Sequence, residues 1–169
     1  MEPSFSTVAF ERRDGRVVAR FALTLEHAPH AVWAALTVPA KFVSWLAPGD
    51  IDPRPGGVVK LNFPDSGIVI DSTISAFEAG RVLEYSWSGP GEPLRPIRFE
   101  LGPTGAATGL VVTLSVPAEE DAARTAAGWA AHLEMLAAAL AGAPIKFPFE
   151  VFKAAREAYR ARLAVDQSS

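Results

Sequence analysis

Between residues 55 and 116 the chain repeats one pattern: apolar side chains at alternate positions, in short segments parted by glycine and proline. RVLEYSW (81–87) sets Leu83, Tyr85 and Trp87 on one side and Glu84 and Ser86 on the other. PIRFEL (96–101) turns Ile97, Phe99 and Leu101 one way, and TGLVVTLSV (108–116) aligns Leu110, Val112, Leu114 and Val116. PGGVVKLNF (55–63) and the β-branched GIVIDSTISAF (67–77) precede them. A period of two marks strands with one buried face. The links, such as GPGEPLRP and GPTGAAT, are short, so the segments predict an antiparallel meander with one wet face.

The flanks supply what that face must cover. VVARFALTLE (17–26) is a further strand, with Val17, Ala19, Phe21, Leu23 and Leu25 on one side, and residues 1–16 read as a lead-in or an edge strand. Ala28-Pro29 opens a helix carrying Val32, Trp33 and Leu36, because proline suits the first helical position. Pro39 ends that helix and starts another, with Phe42, Trp45 and Leu46 at helical spacing. A bent pair wraps a rim where one straight helix would cover only a line. Residues 118–141 form a long helix with Glu119, Glu120 and Asp121 in its first turn and Gly142 and Pro144 as its stop. Trp129, Leu133, Leu136 and Leu140 make its apolar stripe, His132 borders it, and alanines keep the other positions slim. The order strand, two helical pieces, about five strands and long helix predicts an α+β domain in which a curved sheet grips that helix.

The 169 residues fit one domain, and 49% hydrophobic content allows a full core. We divide the chain into a domain at 1–142 and a C-terminal extension at 143–169. In the extension Phe152, Ala155, Tyr159 and Leu163 predict an amphipathic helix packed on the domain, or else serving a homodimer contact. Cysteine is absent, which removes disulfides and thiolate metal sites and suits a reducing, cytoplasmic setting. The N-terminal stretch lacks a basic start followed by an apolar run, so no secretory leader is expected. No stretch approaches the ~20 apolar residues that span a bilayer. A net charge of −3 without a basic stripe argues against a nucleic-acid partner.

Phosphate-loop, nucleophile-elbow and zinc-protease motifs are all absent. His27 and His30 straddle a helix start and lack a third ligand at a telling spacing, so no metal is expected. Asp50 and Asp52 beside Arg54 read as a solvated turn. His132, on the edge of the buried stripe, is either a satisfied core histidine or a polar anchor in an apolar pocket. Tyr85 adds a hydroxyl to the same space. Gly128, inside the best helix, serves close packing or leaves volume unfilled, at about 1 kcal/mol relative to alanine.

In order along the chain, APHAVWAALTVPAKFVSWL, RPGG, RVLEYSW, TGLVVTLSV and GWAAHLEMLAAALAG resemble the activator of heat-shock-ATPase homologue-like family, within the START-like, helix-grip (SRPBCC) superfamily. The shared positions are Trp33, Leu36-Thr37 with Pro39, Trp45, Gly56-Gly57, Trp87, Thr108, Gly128-Trp129 and His132-Leu133. Val38 departs from the Asp or Asn that usually caps the second helix, and the extension after Gly142 lies outside the pattern. The resemblance implies a helix-grip fold, with six to seven strands round the long helix and a cavity between. It also implies a superfamily of lipid and hormone carriers, polyketide cyclases and aromatases, and co-chaperone domains, among which fold does not choose.

The leading expectation is a binding protein for a small apolar, aromatic or lipid-like molecule, with no cofactor. Phe63, Tyr85, Trp87, Phe99, Trp129, His132 and Leu136 would line the site, and Trp33, Phe42 and Trp45 would frame its mouth. The alternatives are a cyclase or dehydratase using His132 as its acid–base group, and a co-chaperone-like interaction module.

Overall fold

The structure, a computed structural model, describes residues 8–168. Strands β1 (Ala9–Arg13) and β2 (Arg16–Leu25) are followed by helices α1 (Pro29–Thr37) and α2 (Pro39–Phe42). Then come β3 (Gly49–Ile51), β4 (Val58–Asn62), β5 (Val69–Glu78), β6 (Val82–Ser86), β7 (Pro96–Thr104) and β8 (Ala107–Pro117). Helices α3 (Ala122–Leu140) and α4 (Phe149–Ser168) close the chain. This is the expected α+β helix-grip architecture.

All eight strands form one open antiparallel sheet in the order β1-β2-β8-β7-β6-β5-β4-β3. After β2 the helix pair carries the chain to the far edge, and the meander returns strand by strand until β8 closes on β2. The count exceeds the expected six to seven because both edges add one. β1 is the edge-strand alternative for the N-terminal stretch, whose residues 1–7 lie outside the described residues. It joins β2 through Asp14 and Gly15, both at positive φ, in the two-residue turn that Asp-Gly favours. β3 is only three residues long, in a stretch that reads as loop. The helix pair therefore follows the second strand, not the first.

The inner face is built from the expected alternate positions: Phe21, Ile97, Phe99, Leu110, Val112 and Leu114 are all buried. At α3 the acidic residues do not crowd the first turn as expected. Asp121 is the N-cap, its Oδ1 accepting from the Arg124 N–H at 3.1 Å. Glu120, outside the helix, accepts from Arg95 Nε at 2.7 Å and from Arg95 Nη2 at 3.1 Å. The helix ends as predicted at Gly142, whose φ of 78° sets up a closed C-terminal turn: Ala143 N–H donates to Ala138 O and Gly142 N–H to Ala139 O.

Helix α4 packs on α3. Ala155, Tyr159 and Leu163 of α4 are buried. With about 100° between successive residues, Ala123, Ala127 and Ala131 lie on the side of α3 away from Trp129. They are buried too, so α3 sits between the sheet and α4. The far half of α4 reaches β1, where Tyr159 meets the Phe10 ring at 5.1 Å and Arg12 Nη2 donates to Leu163 O.

Candidate ligand-binding site

The inner surface between α3 and the sheet is an array of rings centred on Trp129. The Trp87 ring lies 4.7 Å from it, Phe99 and His132 each 5.8 Å, and Trp45 6.3 Å. Phe63 extends the array by touching both Trp87 and His132, and Tyr85 extends it behind Phe99. Seven of the expected site residues thus come together: Trp45, Phe63, Tyr85, Trp87, Phe99, Trp129 and His132. Leu136 is buried one turn on from His132. Trp33 stands apart, against Phe77 at 5.7 Å. Phe42 and Trp45, read from sequence as a rim, are enclosed at 1% and 0% exposure.

Two members are held from outside the array. Trp45 Nε1 donates to Ala35 O at 2.7 Å, which ties the turn after α2 to α1. The bend at Val38 forms with no side-chain cap, so this bond and the burial of Phe42 hold α2 in place. Trp87 is gripped by Arg95: the Arg95 C=O accepts from the Trp87 N–H, and Arg95 Nη1 donates to Trp87 O. The Glu120 carboxylate holds the Arg95 guanidinium above its already high pKa, so this clamp stays charged.

His132 is buried, and its Nδ1 lies 3.0 Å from Trp45 O. A carbonyl only accepts, so Nδ1 carries the proton and Nε2 keeps the lone pair. Burial among rings lowers the imidazole pKa below 6.5, with the bond to Trp45 opposing the shift. Burial also pushes the Tyr85 hydroxyl well above the ordinary phenol range, so it stays protonated.

The His132 shift has a stability consequence. The unfolded chain takes up this proton near pH 6.5 and the folded chain only at lower pH. Stability is therefore whole above 6.5 and falls as the pH drops from there through the folded value, by up to about 1.4 kcal/mol per pH unit. Urea denaturation at stepped pH should show that slope in the native chain and a flatter one in His132→Asn. Equal slopes would assign the acid sensitivity elsewhere.

The sequence reading missed Phe147, which lies in the irregular stretch between α3 and α4. Its ring packs on His132 at 5.5 Å and on Phe149 and Phe152 at 5.0 and 5.8 Å, closing the array at its outer edge. No periodicity marks it, because a loop residue has none. Gly128 lies one turn before His132, about 40° round the helix. A methyl group there would meet no atom within 4 Å, so of the two readings of this glycine, close packing is excluded. Two surface recesses of about 720 and 180 Å³ lie elsewhere. The larger is on the outer face of the sheet beside Lys60, Asp71 and Glu84, and the smaller is near Arg12 and Asp121.

The family profile described as "Activator of Hsp90 ATPase homolog 1-like protein" matches residues 26–141. The chain belongs to this family. Among solved structures, BPP1335 from Bordetella parapertussis is 30% identical, with 90% of this chain and 88% of that one covered and a TM-score of 0.69. EF2215 from Enterococcus faecalis, a conserved protein of unknown function, is 19% identical over 95% and 92% of the two chains, with a TM-score of 0.79. DynU16, from the dynemicin biosynthetic locus, is 27% identical over 78% of this chain and 49% of its own, with a TM-score of 0.68. No curated protein matched the sequence. The family region includes Trp33, Trp45, Trp87, Trp129 and His132, whereas β1, β2, Phe147 and α4 fall outside it. The ring array is thus a family-region feature whose outer cover comes from beyond that region. No helix among the described residues is long and apolar enough to cross a membrane.

Proposed function

We propose that this family member holds one small apolar or aromatic molecule against the ring array between α3 and the sheet. Phe147 carries the reading. It is a half-buried ring, supplied by a segment without regular structure, and it sits on His132 at the outer edge of the array. A ligand ring can take the same seat, exchanging one aromatic contact for another, while the open space beside Gly128 leaves room for entry. Apolar walls with few polar groups are the common form of small-molecule sites. The likeness to a protein of a biosynthetic locus agrees with this reading.

Acid–base catalysis by His132 is the weaker reading. Its ring neighbours are Phe63, Trp129 and Phe147, and Tyr85 is too weak an acid to act as its partner near neutrality.

Thermal shift and native mass spectrometry with naphthalene-sized ring probes test the proposal. A probe at a hundred times its dissociation constant should raise stability by about 2.7 kcal/mol and appear as a one-to-one adduct. Phe147→Ala should bind more tightly. Gly128→Ala should bind more weakly although its helix is the stronger one. No adduct and no shift with any probe up to its solubility limit would sink the proposal.

A further inference from the structure

We infer that the molecule held here is a neutral ring compound bearing an oxygen acceptor, such as a ketone or ether, and that Trp129 Nε1 donates to it. The inference rests on the binding reading above and adds the chemical class.

Trp129 is 1% exposed, and its indole nitrogen has no hydrogen-bond partner among the described residues. Trp45 is as deeply buried, yet its indole is satisfied by Ala35 O at 2.7 Å. The fold thus provides for the tryptophan that braces the helix pair and leaves the one at the centre of the array unprovided. Buried indoles usually find an acceptor. The Trp87 ring beside Trp129 is at best a second-order substitute for a lone pair.

A second unpartnered group lies across the strand pair from Trp87, the ring that packs on Trp129. Ser72 Oγ is buried and has no hydrogen-bond partner among the described residues. Ile74 pairs with Tyr85, and the Asp71 N–H donates to Ser88 O at 2.9 Å. That register sets Ser72 opposite Trp87, whose ring packs on Trp129. On its other side Ser72 faces Val59. In the inward row of β5, Ser72 stands between Ile70 and Ile74, a small hydroxyl where the neighbours are bulky and apolar.

The two groups define what can satisfy them. An indole N–H only donates, so its partner must offer a lone pair, and a serine hydroxyl can donate as well. The array contains no charged side chain: it is made of Trp45, Phe63, Tyr85, Trp87, Phe99 and a neutral His132. A charged ligand would leave its charge buried and unpaired, which excludes carboxylates and amines. A neutral oxygen acceptor on an apolar ring remains.

The test compares 2-acetylnaphthalene with 2-isopropenylnaphthalene, in which a CH₂ replaces the ketone oxygen at nearly the same shape. The full chain is labelled with ¹⁵N, so that its four tryptophans give four indole signals. The ketone should bind about tenfold more tightly despite being the less hydrophobic, and it should move one slowly exchanging indole proton downfield. Trp129→Phe should remove that signal and bring the two probes within about twofold. Should that variant fail to fold, the ratio and the shift in the native chain decide the matter. Equal binding of both probes with no indole shift overturns the acceptor and leaves the apolar site standing. Binding of neither overturns both.

Discussion

Trp129→Ala is expected to lower the unfolding free energy by about 3–5 kcal/mol. The ring touches Trp45, Trp87 and Phe99, which reach it from three separate parts of the sequence, and His132 on its own helix. Its removal leaves a void that Trp45 and His132 cannot fill without breaking a side-chain hydrogen bond of their own. The Trp45 ring is fixed through Ala35 and the His132 ring through Trp45, and the Trp87 backbone is fixed through Arg95. Rings held this way relax little, and poor relaxation puts a cavity at the upper end of the range. Urea denaturation with an unchanged m-value would check this. A loss under about 1 kcal/mol would mean that the array collapses readily and does not hold α3 to the sheet.

Ending the chain at Gly142 should be more costly still. Phe152, Ala155, Tyr159 and Leu163 would be lost, and the alanine face of α3 would meet water. At about 1.5–3 kcal/mol for each large apolar side chain, the loss is about 5 kcal/mol or more, and the melting temperature should fall by about 10–20 °C. β1 should loosen as well, since Phe10 loses Tyr159 and the Arg162 guanidinium that lies over its ring. A truncated chain that melts where the full one does would show that α4 is an appendage.

The sequence displayed most of this fold because the sheet is half-buried and α3 is striped. Alternation placed Leu83, Tyr85, Ile97, Phe99 and Leu110 inward, and helical spacing placed Trp129, Leu133 and Leu136 on one line. Ambiguity arose where tertiary contact outweighs local pattern. Glu120 reads as a helix-start acid, but Arg95 claims it from across the chain. Gly49–Ile51 is too short to show a period and becomes a strand only by pairing with β4. Asp14-Gly15 did carry a hairpin signal, and it would have identified β1. The gathering of seven rings follows from their inward positions. Phe147, in contrast, is placed by how the chain returns after α3, and no residue type announces that.

The ring array also gives the protein a built-in optical reporter. Trp45, Trp87 and Trp129 lie in one connected group, with Trp129 at 6.3 and 4.7 Å from the other two, and Trp33 sits outside it beside Phe77. At such separations indole transitions couple, so ultraviolet circular dichroism carries a signature of their mutual angles, and excitation passes among the three. Anything that tilts Trp87 alters that spectrum, while Trp33, beside Phe77, stands outside the group of three.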